Sequence, residues 1–265
     1  MTGDPGNELL YSVEGEVGIV AFNRPAAHNA LTFDMYERLG EICAGISADG
    51  SVRALIVTGA GGRAFGAGTD ISLFRDFRSG EDGLAYEARM EAMFHRLERC
   101  PVPIIAAVHG MAAGAGAVIA LAADFRVCTP AARFAFLFTK VGLSGGDMGA
   151  AYLLPRLVGL GHATRLLMLG DTVNAEEAER IGLVSLLAGK DTFDDEVGAL
   201  AGRLASGPVQ AYAQTKALLT REQDMSLSAA IELEAMTQAL LMKGEDYAEF
   251  HAAFNAGRPP QWTGR

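Results

Sequence analysis

Two glycine-rich runs, FGAGTD at 65–70 and HGMAAGAG at 109–116, are the segments of this chain best suited to chemistry. Small residues strip the backbone bare, so a ligand can approach the main chain closely. Each run reads as the end of a strand and the start of a helix, where free N–H groups stand with a helix dipole behind them. Two such loops, if they converge, aim two N–H donors at one oxygen, the geometry that stabilises an oxyanion on a carbonyl carbon. Each donor of that kind lowers a barrier by about 3 kcal/mol. Rival readings are weaker. GMAAGAG has only a GxxxGxG spacing, lies deep in the chain and lacks a clear ribose-binding acid downstream, unlike a dinucleotide fingerprint. No GK[ST] is present to form a phosphate loop, and close helix packing alone explains one run more easily than two.

The elements that would carry these loops alternate. Residues 11–22 show period-two patterning on either side of Gly15 and read as a hairpin. Thr32 can cap a helix whose Met35, Leu39, Ile42 and Ile46 fall on one face. ALIVTG at 54–59 is a buried strand, residues 86–99 an amphipathic helix stopped by Pro101 and Pro103, IIAAV the next strand, AGAVIALAAD a helix and FRVCT another strand. This is an α/β pattern. From about Gly161 the chain turns helical, with Gly207 and Pro208 as the break between a core at 1–206 and a helical region at 207–265. The tail carries Leu227, Ile231, Met236, Leu240 and Leu241, too apolar for a solvated appendage, and is expected to pack on the body or on another subunit. No internal repeat or low-complexity linker stands out.

Bulk composition narrows the classes. Half of the 265 residues are hydrophobic and a fifth are charged, as in a compact globular enzyme. A net charge of −10 and the lack of a lysine-rich helix argue against nucleic-acid binding. Cys43, Cys100 and Cys128 are widely spaced and read as buried thiols of a reducing compartment, not metal ligands. The polar start MTGDPGNELLYSVEGE has no apolar core of a secretory signal, and no 18-residue apolar run predicts a membrane span, so a cytoplasmic protein is expected.

In order along the chain, NRPAAHNAL (23–31), AFGAGTDI (64–71), PIIAAVHGMAAGAG (103–116), ALAADFRV (120–127), LLPRLVG (153–159), NAEEAERIGLV (174–184) and GRPPQW (257–262) resemble the crotonase, or enoyl-CoA hydratase/isomerase, superfamily. The resemblance implies an α/β spiral of ββα turns with a helical C-terminal trimerisation region, assembled as a homotrimer or homohexamer. It implies acyl-CoA thioester substrates, an enolate intermediate, and no cofactor beyond the CoA carried by the substrate. It places the two oxyanion N–H groups on Thr69 and Ala115. Arg24, Ala26 and His28 become candidate contacts for the adenine end of CoA, with His28 equally readable as an exposed turn residue. Ala64, Gly68, Asp70 and Ile71 fall in the CoA-contacting stretch, Asp70 either fixing its loop or facing the pantetheine arm. Relatives often carry a Lys–Arg pair near the C-terminus for the CoA phosphates; here it is Gly257–Arg258, so Arg258 alone keeps that role or is a surface arginine.

The two glutamates with which hydratases of the family hold water fall on Val118 and Phe138, and no Asp or Glu occurs between Asp124 and Asp147. Paired-glutamate hydration is therefore not expected. Asp147, in GLSGGDMGAAYLLPR, matches the acid of some enoyl-CoA isomerases and the nucleophile of aryl-CoA dehalogenases. A single carboxylate there could lift a proton beside a thioester carbonyl and return it elsewhere, with Val118, Phe136 and Phe138 raising its pKa. The alternative is that Asp147 caps the helix after it. Tyr86 and His95 read as structural or exposed and Glu91 as a solvated helix residue. One-base isomerisation is the favoured chemistry; thioester hydrolysis, aryl dehalogenation and a catalytically silent CoA-ester-binding trimer are the alternatives.

Overall fold

A computed structural model describes residues 7–264; the first six residues of the polar start lie outside the described residues. The chain opens as an antiparallel hairpin, β1 (Leu9–Glu14) and β2 (Val17–Phe22), turned at Gly15 with φ of 61°. Then comes α1 (Phe33–Asp49), whose Met35 N–H donates to the Thr32 hydroxyl at 3.4 Å, so the expected cap is present.

Three turns of one plan follow. The first is β3 (Ala54–Gly59), β4 (Ala64–Gly66) and α2 (Gly80–Glu98). The second is β5 (Ile104–Val108), β6 (Met111–Ala113) and α3 (Ala115–Ala122). The third is β7 (Phe125–Cys128), β8 (Arg133–Ala135) and α4 (Ala150–Leu169), the last kinked at Gly159. In each turn the first strand joins a six-stranded sheet ordered β1-β2-β3-β5-β7-β10, and the second joins a four-stranded sheet ordered β4-β6-β8-β9. The body closes with β9 (Thr172–Asn174), α5 (Ala175–Arg180), β10 (Leu186–Leu187) and α6 (Phe193–Ala205). This is the expected spiral of ββα turns.

The large sheet is parallel from β2 to β10, and β3 and β5 are buried almost throughout. That is why both read as continuous apolar runs instead of alternating ones. The main core fills the space among α1, α2, α3 and α4, while Phe193, Val197, Ala201 and Leu204 of α6 cover the other face at Ile56, Ile105 and Val127.

Each glycine run does lie between a strand end and a helix start: β4 leads to a short helix capped by Asp70, and β6 to α3 through Gly114, both strands belonging to the second sheet. One expectation is corrected. The helix read at 86–99 begins at Gly80, since the Ser79 hydroxyl and Asp82 carboxylate form a reciprocal capping box.

The helical tail comprises α7 (Val209–Arg221), α8 (Leu227–Leu241) and α9 (Glu245–Ala256). Lys216 of α7 ties it to the body through the Asp124 carboxylate at 2.8 Å, which also accepts the Ile104 N–H at 2.7 Å. Leu227, Ile231, Met236 and Leu240 of α8 are exposed. All three cysteines are buried and stand outside any disulfide. Among the described residues, no helix is long and apolar enough to cross a membrane.

Candidate active site

The two glycine runs are pressed against each other. A Cβ at Gly68 (φ 100°) would meet the Ala113 oxygen at 3.3 Å and the Ala115 nitrogen at 3.7 Å. A Cβ at Gly116 would fall onto the Gly66 carbonyl. Leu31 and Thr69 form an isolated parallel bridge, in which Leu31 N–H donates to Gly68 O at 2.8 Å and Asp70 N–H donates to Leu31 O at 2.9 Å. Neighbours of Thr69 use the shared edge, so its own N–H is directed away from Leu31. Ala115 is the first residue of α3, where the N–H has no partner within the helix. Among the described residues neither N–H finds an acceptor. Two free main-chain donors therefore stand on peptide segments in van der Waals contact.

Buried Asn29, at φ 58°, holds this arrangement from below. Its amide donates to the Ala64 oxygen at 2.7 Å and the Ala60 oxygen at 3.0 Å, and its carbonyl accepts the Arg24 N–H at 2.9 Å. At the far end of α3 the buried Arg126 guanidinium donates to the carbonyls of Ala120, Leu121 and Ala123, and to Leu183. The cation answers the negative end of the helix whose positive end carries the Ala115 N–H.

The Thr69 hydroxyl is shared by two phenols, Tyr36 of α1 at 2.7 Å and Tyr86 of α2 at 3.1 Å. Burial pushes both phenols up, Tyr86 to about 12, and the charge of Asp147 adds to the effect on each. Both stay neutral and can donate. Phe33, Phe74 and Phe77 pack around the Tyr86 ring at 5.6, 5.0 and 6.1 Å between centroids.

Asp147 is half-buried on the loop leading into α4, followed by Met148 (φ 48°) and Gly149 (φ 84°). Gly149 holds the N-cap position and no side chain caps the helix, so the capping reading of Asp147 fails. Burial raises the Asp147 pKa, and the Met148 N–H and the Glu87 side chain on α2 only partly offset the rise. Glu87 is raised too, first by burial of its carboxyl and then by the Asp147 charge and hydrogen bond. Val118 and Phe138, where acids would stand in a hydratase, are buried.

Glu87 escaped the sequence reading, which weighed Glu91 on the same helix. Glu91 is exposed and faces His95 at 3.5 Å, as a solvated residue does. The signal for Glu87 was its place beside Tyr86, but sixty residues separate it from Asp147, and only the fold joins them. A groove of about 1270 Å³ passes Glu87, Met148 and Gly149 between α2, α4 and α7; no residue of either glycine run lines it.

The remaining candidates are placed less centrally. The Arg24 guanidinium is engaged by Glu8 at 3.0 Å, by Asp70 at 2.9 Å and by the Ala30 oxygen at 2.8 Å. Asp70 also caps the short helix after it by accepting from the Ser72 N–H at 3.0 Å. Its carboxyl lies below the ordinary range, chiefly through the Ser72 hydroxyl and N–H, then through Arg24. Ala26 and His28 are exposed, with His28 at φ 52°, and Ile71 is exposed beside the first run. Ala64 and Gly68 are buried. Arg258 forms a bidentate pair with Glu249 at 2.6 and 2.9 Å, within the tail.

Residues 12–265 match the family model described as Enoyl-CoA hydratase/isomerase. The chain is 34% identical over 260 residues to a 1,2-epoxyphenylacetyl-CoA isomerase of Escherichia coli K12, covering 97% of this chain and 98% of that one. It is 32% identical over 248 residues to a short-chain-enoyl-CoA hydratase of Clostridium acetobutylicum, covering 94% of each. A crystal structure from Streptomyces coelicolor A3(2), provisionally described as an enoyl-CoA hydratase, superposes with a TM-score of 0.93 at 55% identity, covering 100% of this chain and 98% of that one.

Proposed function

This chain belongs to the enoyl-CoA hydratase/isomerase family, and from that premise we propose that it moves a carbon–carbon double bond in an acyl-CoA thioester, using Asp147 as acid/base. One observation carries the proposal. A carboxyl of raised pKa stands within the electrostatic reach of the phenols that bind Thr69, while both positions for water-holding glutamates are apolar and buried.

The thioester oxygen would accept from the Thr69 and Ala115 N–H groups. Asp147, ionised, takes the α-proton of a β,γ-enoyl thioester; the C–H electrons pass to the carbonyl, giving a dienolate held by the two donors. Reprotonation at the γ-carbon returns the electrons and leaves the α,β-enoyl product, with no net change in atoms. The donors hold the oxygen more strongly as charge develops on it, so they lower the barrier to proton removal. The CoA portion is the substrate's own, and no further cofactor enters this scheme. Ala26, His28, Ala64, Gly68, Asp70 and Ile71 remain the positions proposed to border the CoA moiety, with Arg24 and Arg258 free to join only by leaving Asp70 and Glu249.

The name of the Escherichia coli relative supports an isomerase and that of the Clostridium relative a hydratase. The buried Val118 and Phe138 favour the former here. The test is 3-hexenoyl-CoA in deuterated buffer, followed by NMR for α-deuterium uptake and double-bond position. Asp147→Asn should abolish both while leaving affinity for the ester nearly intact; undiminished turnover would refute the assignment. Release of free thiol instead would indicate thioester hydrolysis.

The exposed apolar side chains of α8 support self-association, proposed as the trimer or hexamer implied by the family. Sedimentation velocity would show a monomer if this is wrong.

A further inference from the structure

Three hydroxyls meet beside the first free amide, and their hydrogens are unevenly shared. Tyr36 of α1 and Tyr86 of α2 reach the same oxygen, Thr69 Oγ1, at 2.7 and 3.1 Å. Among the described residues neither phenol has another hydrogen-bond partner. Tyr36 is 1% exposed, and Tyr86, 8% exposed, has its ring packed by Phe33, Phe74 and Phe77. A buried hydroxyl hydrogen left without an acceptor is costly, so each phenol spends its hydrogen on Thr69. Burial holds both above the ordinary tyrosine range, so both carry that hydrogen at neutral pH.

A threonine hydroxyl has two lone pairs and one hydrogen. The two phenols fill both lone pairs. The Thr69 O–H is then the one hydrogen of the three with no acceptor among the described residues, and it is directed away from both tyrosines. Thr69 is also the least enclosed of the three, half-buried where both tyrosines are buried. Donation from two phenols polarises its O–H and makes it a stronger donor than an isolated hydroxyl. The nitrogen and Oγ1 of one threonine are joined through Cα and Cβ alone, so a single oxygen can accept from both.

We propose that the Thr69 hydroxyl is a third donor to the thioester oxygen, beside the Thr69 and Ala115 amides. This rests on the reading of those amides as the oxyanion donors. As the α-proton leaves and charge gathers on the oxygen, the hydroxyl bond strengthens with the other two. No proton passes through it. Tyr36 and Tyr86 act by occupying the lone pairs, which fixes where the Thr69 hydrogen points.

The test titrates the full-length protein with acetoacetyl-CoA and follows the enolate by ultraviolet absorbance. This ligand ionises in water unaided, so the result does not depend on Asp147. α-Deuterium uptake from 3-hexenoyl-CoA is measured beside it. Thr69→Ala should weaken enolate binding and slow uptake by about a hundredfold each, the scale of one oxyanion donor, with KM kept within about threefold. Thr69→Ser keeps the hydroxyl and should stay within about threefold of wild type in both. Thr69→Cys is close in size but has only a weak S–H donor, and should lose at least about tenfold even if Thr69→Ala does not fold. Wild-type enolate binding in Thr69→Ala or Thr69→Cys overturns the proposal. So does a loss in Thr69→Ser equal to that in Thr69→Ala. Tyr86→Phe should cost no more than about fivefold, the net value of one hydrogen bond. A loss as large as that of Thr69→Ala would give the free hydrogen to Tyr86 and overturn its assignment to Thr69. Gly116→Ala separates the two readings. If it leaves enolate binding intact, the amide reading fails and this proposal with it. If it weakens binding while Thr69→Ala does not, only the hydroxyl fails.

Discussion

The Cα of Gly116 lies 3.4 Å from where a Cβ of Gly66 would stand, and a Cβ of Gly116 would overlap the Gly66 carbonyl. The two runs that carry the free N–H groups thus touch backbone to backbone, with no side chain between them. Gly116→Ala must force them apart. Overpacking of this kind costs about 1–3 kcal/mol. Urea denaturation should show that loss, and α-proton exchange should fall further than stability does, because the donors separate. A variant with unaltered exchange would show that the Thr69 and Ala115 amides do not act together.

Thr69 offers a second point of control through its hydroxyl. Tyr36→Phe removes the 2.7 Å partner and leaves Tyr86. The expected cost is about 1 kcal/mol of stability, the usual net value of one hydrogen bond. Thr69→Val removes both bonds and strands two buried phenols, so it should cost more than either tyrosine variant. A double-mutant cycle on Tyr36 and Thr69 measures their coupling, and a coupling near zero would show the bond contributes nothing.

Two raised carboxyls make stability depend on pH in a defined direction. Asp147 and Glu87 both titrate above their ordinary values when folded, so the native state holds protons more tightly than the unfolded chain. Their contribution is greatest below about pH 4, near the unfolded carboxyl pKa, and declines as pH rises through the folded values. Asp147→Asn abolishes one of the two charges. Its melting temperature relative to wild type should therefore climb between pH 4 and 8; a flat or falling difference contradicts the raised values.

Asp70 behaves oppositely. Its pKa is lowered, mainly by the Ser72 hydroxyl and N–H and then by Arg24, so its contribution is present at neutral pH and lost as acid protonates it. Arg24→Ala should destabilise by about 1 kcal/mol, discounted for partial exposure. The effect should shrink at low pH. Weaker CoA binding with stability unchanged would instead identify the guanidinium as a ligand contact.

Much of this fold could be read because its signals are local. The hairpin at Gly15, the Thr32 cap and the apolar run of β3 each depend on neighbours within one element. The strands β4, β6, β8 and β9 were not legible, since three residues carry no period and are strands only through their partners in the second sheet. The two glycine runs were legible because glycine spacing advertises bare backbone, while Thr69 and Ala115 within them were named through the resemblance to the family. Glu87 was not, because a glutamate beside a tyrosine on a helix looks like any solvated acid until α4 arrives opposite it. Asn29 was missed for the same reason: its two carbonyl acceptors lie more than thirty residues downstream.

The groove bordered by Glu87 draws its walls from α2, α4, α7 and the C-terminal end of α3, while the unbonded amides belong to Thr69, after β4, and to Ala115, at the opposite end of α3. In the proposed reading, the groove that would take the acyl group and the paired donors thereby occupy distinct positions along the polypeptide. Descendants of this sequence can exchange wall residues to admit a different acyl group and still inherit the paired donors intact, which makes the scaffold permissive to change in what it accepts and conservative in what it does.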